Sequence, residues 1–148
     1  YMLEFLEILD LWKRLYEKEL HNVCKRYDLH KMDVDILLFL ANHPQCQNAT
    51  DIVQRRKLTK SHVSTSLKFL EEQGYIEKYY QEGNHKTIYL HMLAKADKVI
   101  ADGRKAQERF QKRLLKNFSE EELKRMKDTF RRMNENVKAA LKEEEETC

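Results

Sequence analysis

Apolar residues recur at three- and four-residue steps from the start of the chain: Leu6, Leu9, Trp12, Leu15 or Tyr16, Leu20, and Val23 or Cys24, with charges between them. That spacing keeps one stripe on a helix of 3.6 residues per turn and predicts a single long helix over residues 2–26. A second helix, with Asp33 as its expected cap, carries Ile36, Leu37, Phe39 and Leu40 and stops at Pro44. Asn48 can cap a short third helix holding Ile52 and Val53. Thr59 can cap a fourth, with Val63, Leu67 and Leu70 on its buried side and Gly74 at the left-handed position past its end.

The period then changes. Residues 75–80 (Tyr-Ile-Glu-Lys-Tyr-Tyr) and 87–92 (Thr-Ile-Tyr-Leu-His-Met) are rich in β-branched and aromatic side chains, and a polar segment containing Gly83-Asn84 separates them. This predicts a β-hairpin with residues 81–86 as its turn. Helical spacing returns from Ala94 to Phe118 through Val99, Ala106, Phe110 and Leu114. Ser119 and Glu122 have the spacing of a capping box. The helix they open carries Leu123, Met126, Phe130, Met133, Val137 and Ala140, an alternation of three- and four-residue steps that makes an a/d seam, with Leu141 beside it.

Composition narrows the class. Three glycines and one proline in 148 residues leave few tight connections, which favours long helices over a β-sandwich or barrel. Gly74, Gly83 and Gly103 are too scattered to form a phosphate-cradling loop. The longest apolar run, Ile36–Ala41, is far shorter than the roughly 20 residues of a membrane span, so no membrane partner is expected. The first residues lack the basic start and apolar stretch of a secretory leader. Cys24, Cys46 and Cys148 form neither a C-x-x-C pair nor an even framework, and a reducing cytoplasm is the expected location.

The net charge of +3 is mild, but its distribution is uneven. Between Thr50 and Lys68, Arg55, Arg56, Lys57, Lys60 and Lys68 face a single acid, Asp51, while the chain ends in a run of glutamates. The order helix, helix, short helix, turn, helix, hairpin reads as a winged helix-turn-helix, in which a short helix braces a second helix that can enter the major groove of DNA. The outer side of the fourth helix presents Lys60, Ser61, His62, Ser64, Thr65 and Lys68, none acidic and none large and apolar. Arg55 ends the bracing helix, and Asn84, His85 and Lys86 stand at the expected wing tip. These ten residues are the candidate contacts to double-stranded DNA. No nucleophile, paired-acid or zinc-protease motif stands out, so no catalytic residue, cofactor or metal is expected. His21 and Cys24 share one face of the first helix, but two ligands do not make a zinc site.

The stretch from Asn48 to Lys78 resembles the MarR family of bacterial transcriptional regulators. The likeness is carried by Leu58-Thr59-Lys60-Ser61-His62-Val63-Ser64 and by Leu70-Glu71-Glu72-Gln73-Gly74-Tyr75-Ile76-Glu77-Lys78. The flanking long helices resemble the family's frame as well. The resemblance implies a mainly α fold of six helices plus a β-hairpin wing. In it, residues 33–93 form the winged lobe, and residues 1–32 with 94–148 form a helical dimerisation region. It implies a homodimer whose two wings straddle pseudo-palindromic DNA, acting as a ligand-responsive repressor. Trp12 and Tyr16, four apart on the first helix, are candidate walls of a cleft for a small aromatic or amphipathic ligand. Two departures from the family pattern stand out: Asn84-His85-Lys86 replaces the usual Asp-x-Arg of the wing, and Thr65 replaces a frequent Arg. The alternatives are a helical interaction module that kept the fold without DNA binding, and a thiol- or metal-sensing regulator.

Overall fold

The computed structural model describes residues 1–45, 47–56 and 58–147; Cys46, Lys57 and Cys148, named above, lie outside the described residues. The chain forms two compact units, residues 1–114 and 115–148.

The first unit begins with α1 (Met2–Tyr27). Asp28 ends it in left-handed backbone at φ 53°, and the Asp28 and Leu29 amides both close on the Cys24 carbonyl. The second helix, α2 (Lys31–Asn42), starts two residues before the expected cap. His30 takes the N-cap position, and Asp33, at the third helical position, reaches back so that the His30 amide donates to its Oδ2 at 2.8 Å. Asp33 is buried because its other oxygen accepts the Ser66 hydroxyl of a later helix, so one carboxylate satisfies a helix end and a tertiary contact together.

The short α3 (Ala49–Arg56) is capped as the sequence predicts, with the Asp51 amide donating to Asn48 Oδ1 at 2.8 Å. In α4 (Lys60–Glu72) Thr59 holds the N-cap in extended backbone without a side-chain bond to the helix. Val63, Leu67 and Leu70 are buried as their spacing predicts, and Gly74 stands at φ 79° beyond the end. The core gathers around α2, whose residues Val34 and Ile36–Leu40 are all buried. Ile52, Leu70, Ile76 and Leu90 close over it from α3, α4 and the hairpin, and Val99 and Ala106 from α5 (Ala96–Leu114). Each such Val, Leu or Ile side chain contributes roughly 1.5–3 kcal/mol by leaving water. The approach of α5 to α2 depends on Gly103, where a Cβ would stand 2.8 Å from Leu38 Cδ2.

The wing is an antiparallel pair, β1 (Ile76–Gln81) and β2 (Asn84–Met92), in register from Ile76↔Met92 to Tyr79↔Tyr89, with a bulge before Gln81↔Asn84. β2 therefore starts three residues earlier than the pattern suggested, and the tip is Glu82-Gly83, with Gly83 at φ 79°, rather than Asn84-His85-Lys86. The cause is the Asn84 side chain. Its Oδ1 accepts the Lys86 and Thr87 amides at 3.0 and 3.2 Å, beside the register shift between Tyr79 and Gln81. The segment before α3 joins β2 through an Asn48–Tyr89 bridge, with the Leu90 amide donating to the Gln47 carbonyl at 2.8 Å.

α5 is shorter at both ends than the Ala94–Phe118 expectation. Leu93 is still tied to the hairpin, its amide donating to the Tyr75 carbonyl at 2.9 Å, and the Ala96 and Asp97 amides close tight turns on the Leu93 and Ala94 carbonyls where the helix begins. Beyond the helix, Asn117 at φ 69° breaks helical geometry. In the second unit, the Ser119–Glu122 capping box forms as expected, with its two reciprocal bonds at 2.8 and 3.1 Å. It opens α6 (Glu120–Thr147). Leu123 and Met126 are half-buried on α6, whereas Phe130, Met133, Val137 and Leu141 are 41–55% exposed.

Candidate nucleic-acid interface

The interface is built on α4. Val63, Leu67 and Leu70 hold one side of that helix against the core, which turns Lys60, Ser61, His62, Ser64, Thr65 and Lys68 outward; all six are exposed. The Thr65 hydroxyl donates to the Ser61 carbonyl at 2.9 Å, so it meets a ligand with its methyl group and its acceptor lone pairs. The helix has no acid in its first turn, and its free amides point outward there. The acids Glu71 and Glu72 come only in its last turn.

Between α3, α4 and the wing runs a groove of about 350 Å³. Val53, Val63, Leu67 and Ile88 contribute apolar surface to it, and Lys60, Lys78 and Lys86 bring three ammonium groups from three elements. The structure thus brings together three of the sequence candidates, Lys60, Ser64 and Lys86. It adds Lys78, whose Nζ lies 3.8 Å from Glu71 Oε1. Lys78 was not among the candidates, although strand alternation puts it on the same side of β1 as buried Ile76.

The other wing candidates separate. The His85 ring lies 5.8 Å from that of Tyr80, while Lys86 lines the groove. Asn84 is engaged with its own strand, through its bonds to the Lys86 and Thr87 amides and to Thr87 Oγ1 at 3.3 Å. Arg55 is exposed at the end of α3, and Lys68 one turn beyond Ser64 on α4.

The candidate ligand walls also separate. The Tyr16 ring meets Phe110 edge-on at 5.3 Å, and its hydroxyl accepts from Gln107 Nε2 at 3.1 Å. Tyr16 lines a cleft of about 110 Å³ with Asp35, Phe39, His43 and Arg56, whereas Trp12 does not line it. Burial pushes the Asp35 carboxyl above the usual range, against the opposing pull of Arg56 at 3.8 Å. His21 and Cys24 share an open cleft with Lys25 and His30, but among the described residues no group of three could hold a metal ion. Burial and the charges of Asp35 and Asp33 push the Cys24 thiol up, the opposite of what a reactive thiolate requires.

This geometry has a counterpart among known proteins. Residues 27–86, from the end of α1 through the start of β2, match the profile of the MarR family. Over that segment the chain is similar to the MarR family. The fold of the family's solved members extends over nearly the whole chain. A MarR family transcriptional regulator from Listeria monocytogenes, solved with 26mer DNA, superposes with a TM-score of 0.77 at 22% identity, covering 90% of this chain and 87% of that one. The MepR–DNA complex from S. aureus gives 0.71 at 20% identity, covering 93% and 96%. A MarR protein from Peptoclostridium difficile gives 0.76 at 18% identity, covering 92% and 88%. DNA-bound MarR-family regulators are thus among the structures that share this fold. No curated protein sequence matches the chain. No helix among the described residues is long and apolar enough to cross a membrane.

Proposed function

We propose that the chain is a homodimeric, sequence-specific DNA-binding regulator of the MarR type, with no catalytic activity of its own. The observation that carries the reading is the outer face of α4, free of acids until its last turn, beside a groove into which three elements each send a lysine. Such a surface suits a major-groove helix flanked by phosphates. His62, Ser61, Ser64 and Thr65 are in position for base edges, and Lys60, Lys68, Lys86 and Arg55 for the backbone. Residues 1–32 and 94–148 supply the dimer contacts, and residues 33–93 the DNA lobe. The exposed apolar residues of α6 and of the first turns of α1, among them Leu3, Leu6, Val137 and Leu141, suit a second copy. Two lobes related by a two-fold axis would read a pseudo-palindromic operator.

Repression and release by a small aromatic or amphipathic ligand complete the proposal. The cleft at Tyr16 supports the ligand part, because it touches α1, α2, α3 and α5 at once. At about 110 Å³ it is smaller than the roughly 300–1,000 Å³ of drug-sized sites, so only a small molecule fits without rearrangement. The test is binding of the purified chain to random-sequence duplex and to a duplex selected from a random pool, across salt. Salt-dependent binding to both, tighter to the selected duplex, is expected. A chain that binds neither at low salt would be an interaction module instead.

A further inference from the structure

We infer that Lys78, on β1, is a phosphate-holding residue of the DNA face, and that Glu71, on α4, competes with phosphate for it. This inference deepens the DNA-binding reading and rests on it.

The placement is specific. Lys78 lines the same groove as Lys60 and Lys86, and no carboxylate is among the groove's described lining residues. Among the described residues its acidic neighbour in ion-pair geometry is Glu71, outside that lining, with Nζ to Oε1 at 3.8 Å, near the outer limit of an ion pair. Glu71 is held there by the strand itself, since the Lys78 backbone amide donates to its Oε2 at 3.2 Å. One carboxylate oxygen thus fixes Glu71 to the root of the wing while the other faces the ammonium group. The Lys78 and Glu71 side chains are 27% and 43% exposed, so water reaches both and the pair is screened and weak. A DNA phosphate entering the groove presents full negative charge to three ammonium groups at once and displaces Glu71 from the nearest. The carboxylate then remains beside the site, so it lowers affinity for every sequence without reading any base.

The experiment uses the whole chain and a labelled random-sequence duplex, with Kd measured from about 50 to 200 mM salt. Each phosphate contact contributes close to 0.9 to the slope of log affinity on log salt, or about a 3.5-fold change over that range. Lys78→Gln should remove one such contribution, and Lys78→Arg should keep it. Glu71→Gln retains an oxygen to accept the Lys78 amide but loses the charge, so it should tighten binding at every salt concentration. In the Lys78→Gln background the gain should be smaller, because only the repulsion between carboxylate and phosphate is left to relieve. The ratio of selected to random duplex affinity should stay constant throughout, and equal melting temperatures establish that all variants fold. A wild-type slope in Lys78→Gln overturns the inference while leaving DNA binding intact. Glu71→Gln weakening binding in both backgrounds also overturns it, because it would make the contact purely structural. Absence of salt-dependent binding by the wild type overturns the DNA-binding reading instead.

Discussion

The α4 helix and the α6 helix carry apolar positions at the same helical spacing and end in opposite circumstances. On α4, Val63, Leu67 and Leu70 are at most 2% exposed, because α2, α3 and the hairpin close over them within the same chain. On α6, Phe130, Met133, Val137 and Leu141 are 41–55% exposed. Periodicity therefore identifies a face that needs covering without saying what covers it. For α4 the cover lies in cis, which frees its polar side for another molecule. For α6 the proposed cover is a second copy.

The largest expected effect separates these two kinds of seam. Leu70→Ala deletes fully buried side-chain volume and should lower unfolding stability by about 2–5 kcal/mol, equally at every protein concentration. Val137→Ser, on α6, should leave stability near wild type in concentrated protein and lower the melting temperature progressively on dilution, since binding stabilises only by mass action. Melting curves over a hundredfold range of concentration check both. A concentration-independent loss in Val137→Ser would mean that the α6 seam is covered within its own chain, and the contrast with α4 would fail.

Much of this was legible in the residues, and the misses have a common cause. The buried face of α4, the Asn48 cap and the Ser119–Glu122 box depend on neighbours within four residues, so local spacing reveals them. Asp33 reads as an N-cap by type, but its place was settled by Ser66, a residue 33 positions away. Leu93, just before α5, is bonded to Tyr75, 18 positions earlier, and the start of β2 was set by the turn chemistry of Asn84. Lys78 entered the candidate site only once the strand was laid beside α4, although alternation with Ile76 already indicated its side.

The next effect tests whether the two sides of α4 are as independent as the fold implies. His62→Ala removes an exposed side chain and should leave melting unchanged while costing about 1–3 kcal/mol of preference for the selected duplex. Lys86→Ala should weaken selected and random duplex alike and reduce the salt slope by about 1. Parallel titrations on the two duplexes distinguish them. If His62→Ala keeps full preference, base reading lies elsewhere on the face.

The smallest effect contrasts two carboxylates, one in each region. Burial raises the Asp35 carboxyl above its ordinary value of 3.8, with Arg56 and Lys31 opposing. A hydrogen bond and charge from Arg131 lower the Asp128 carboxyl on α6 below that same value. The signs are opposite. A raised acid favours folding in its protonated form, so that contribution is complete below pH 3.8 and disappears as pH rises through the folded value; at neutral pH the ionised Asp35 is a net cost. A lowered acid stabilises above pH 3.8 and loses that contribution as pH falls through its folded value. Asp35→Asn should therefore raise the melting temperature at pH 7 and lose that advantage on acidification below the ordinary carboxylate range. Asp128→Asn should lower it slightly at pH 7, again with the difference vanishing in acid. Adding salt should erase the Asp128 effect and leave most of the Asp35 effect, because desolvation of a buried charge is not screened as a surface ion pair is. Melting temperatures for both variants at two pH values and two salt concentrations decide it. A destabilised Asp35→Asn at pH 7 would show that the bond to Arg56 outweighs burial, and that the winged lobe holds this carboxylate as an ion-pair partner just as α6 holds Asp128.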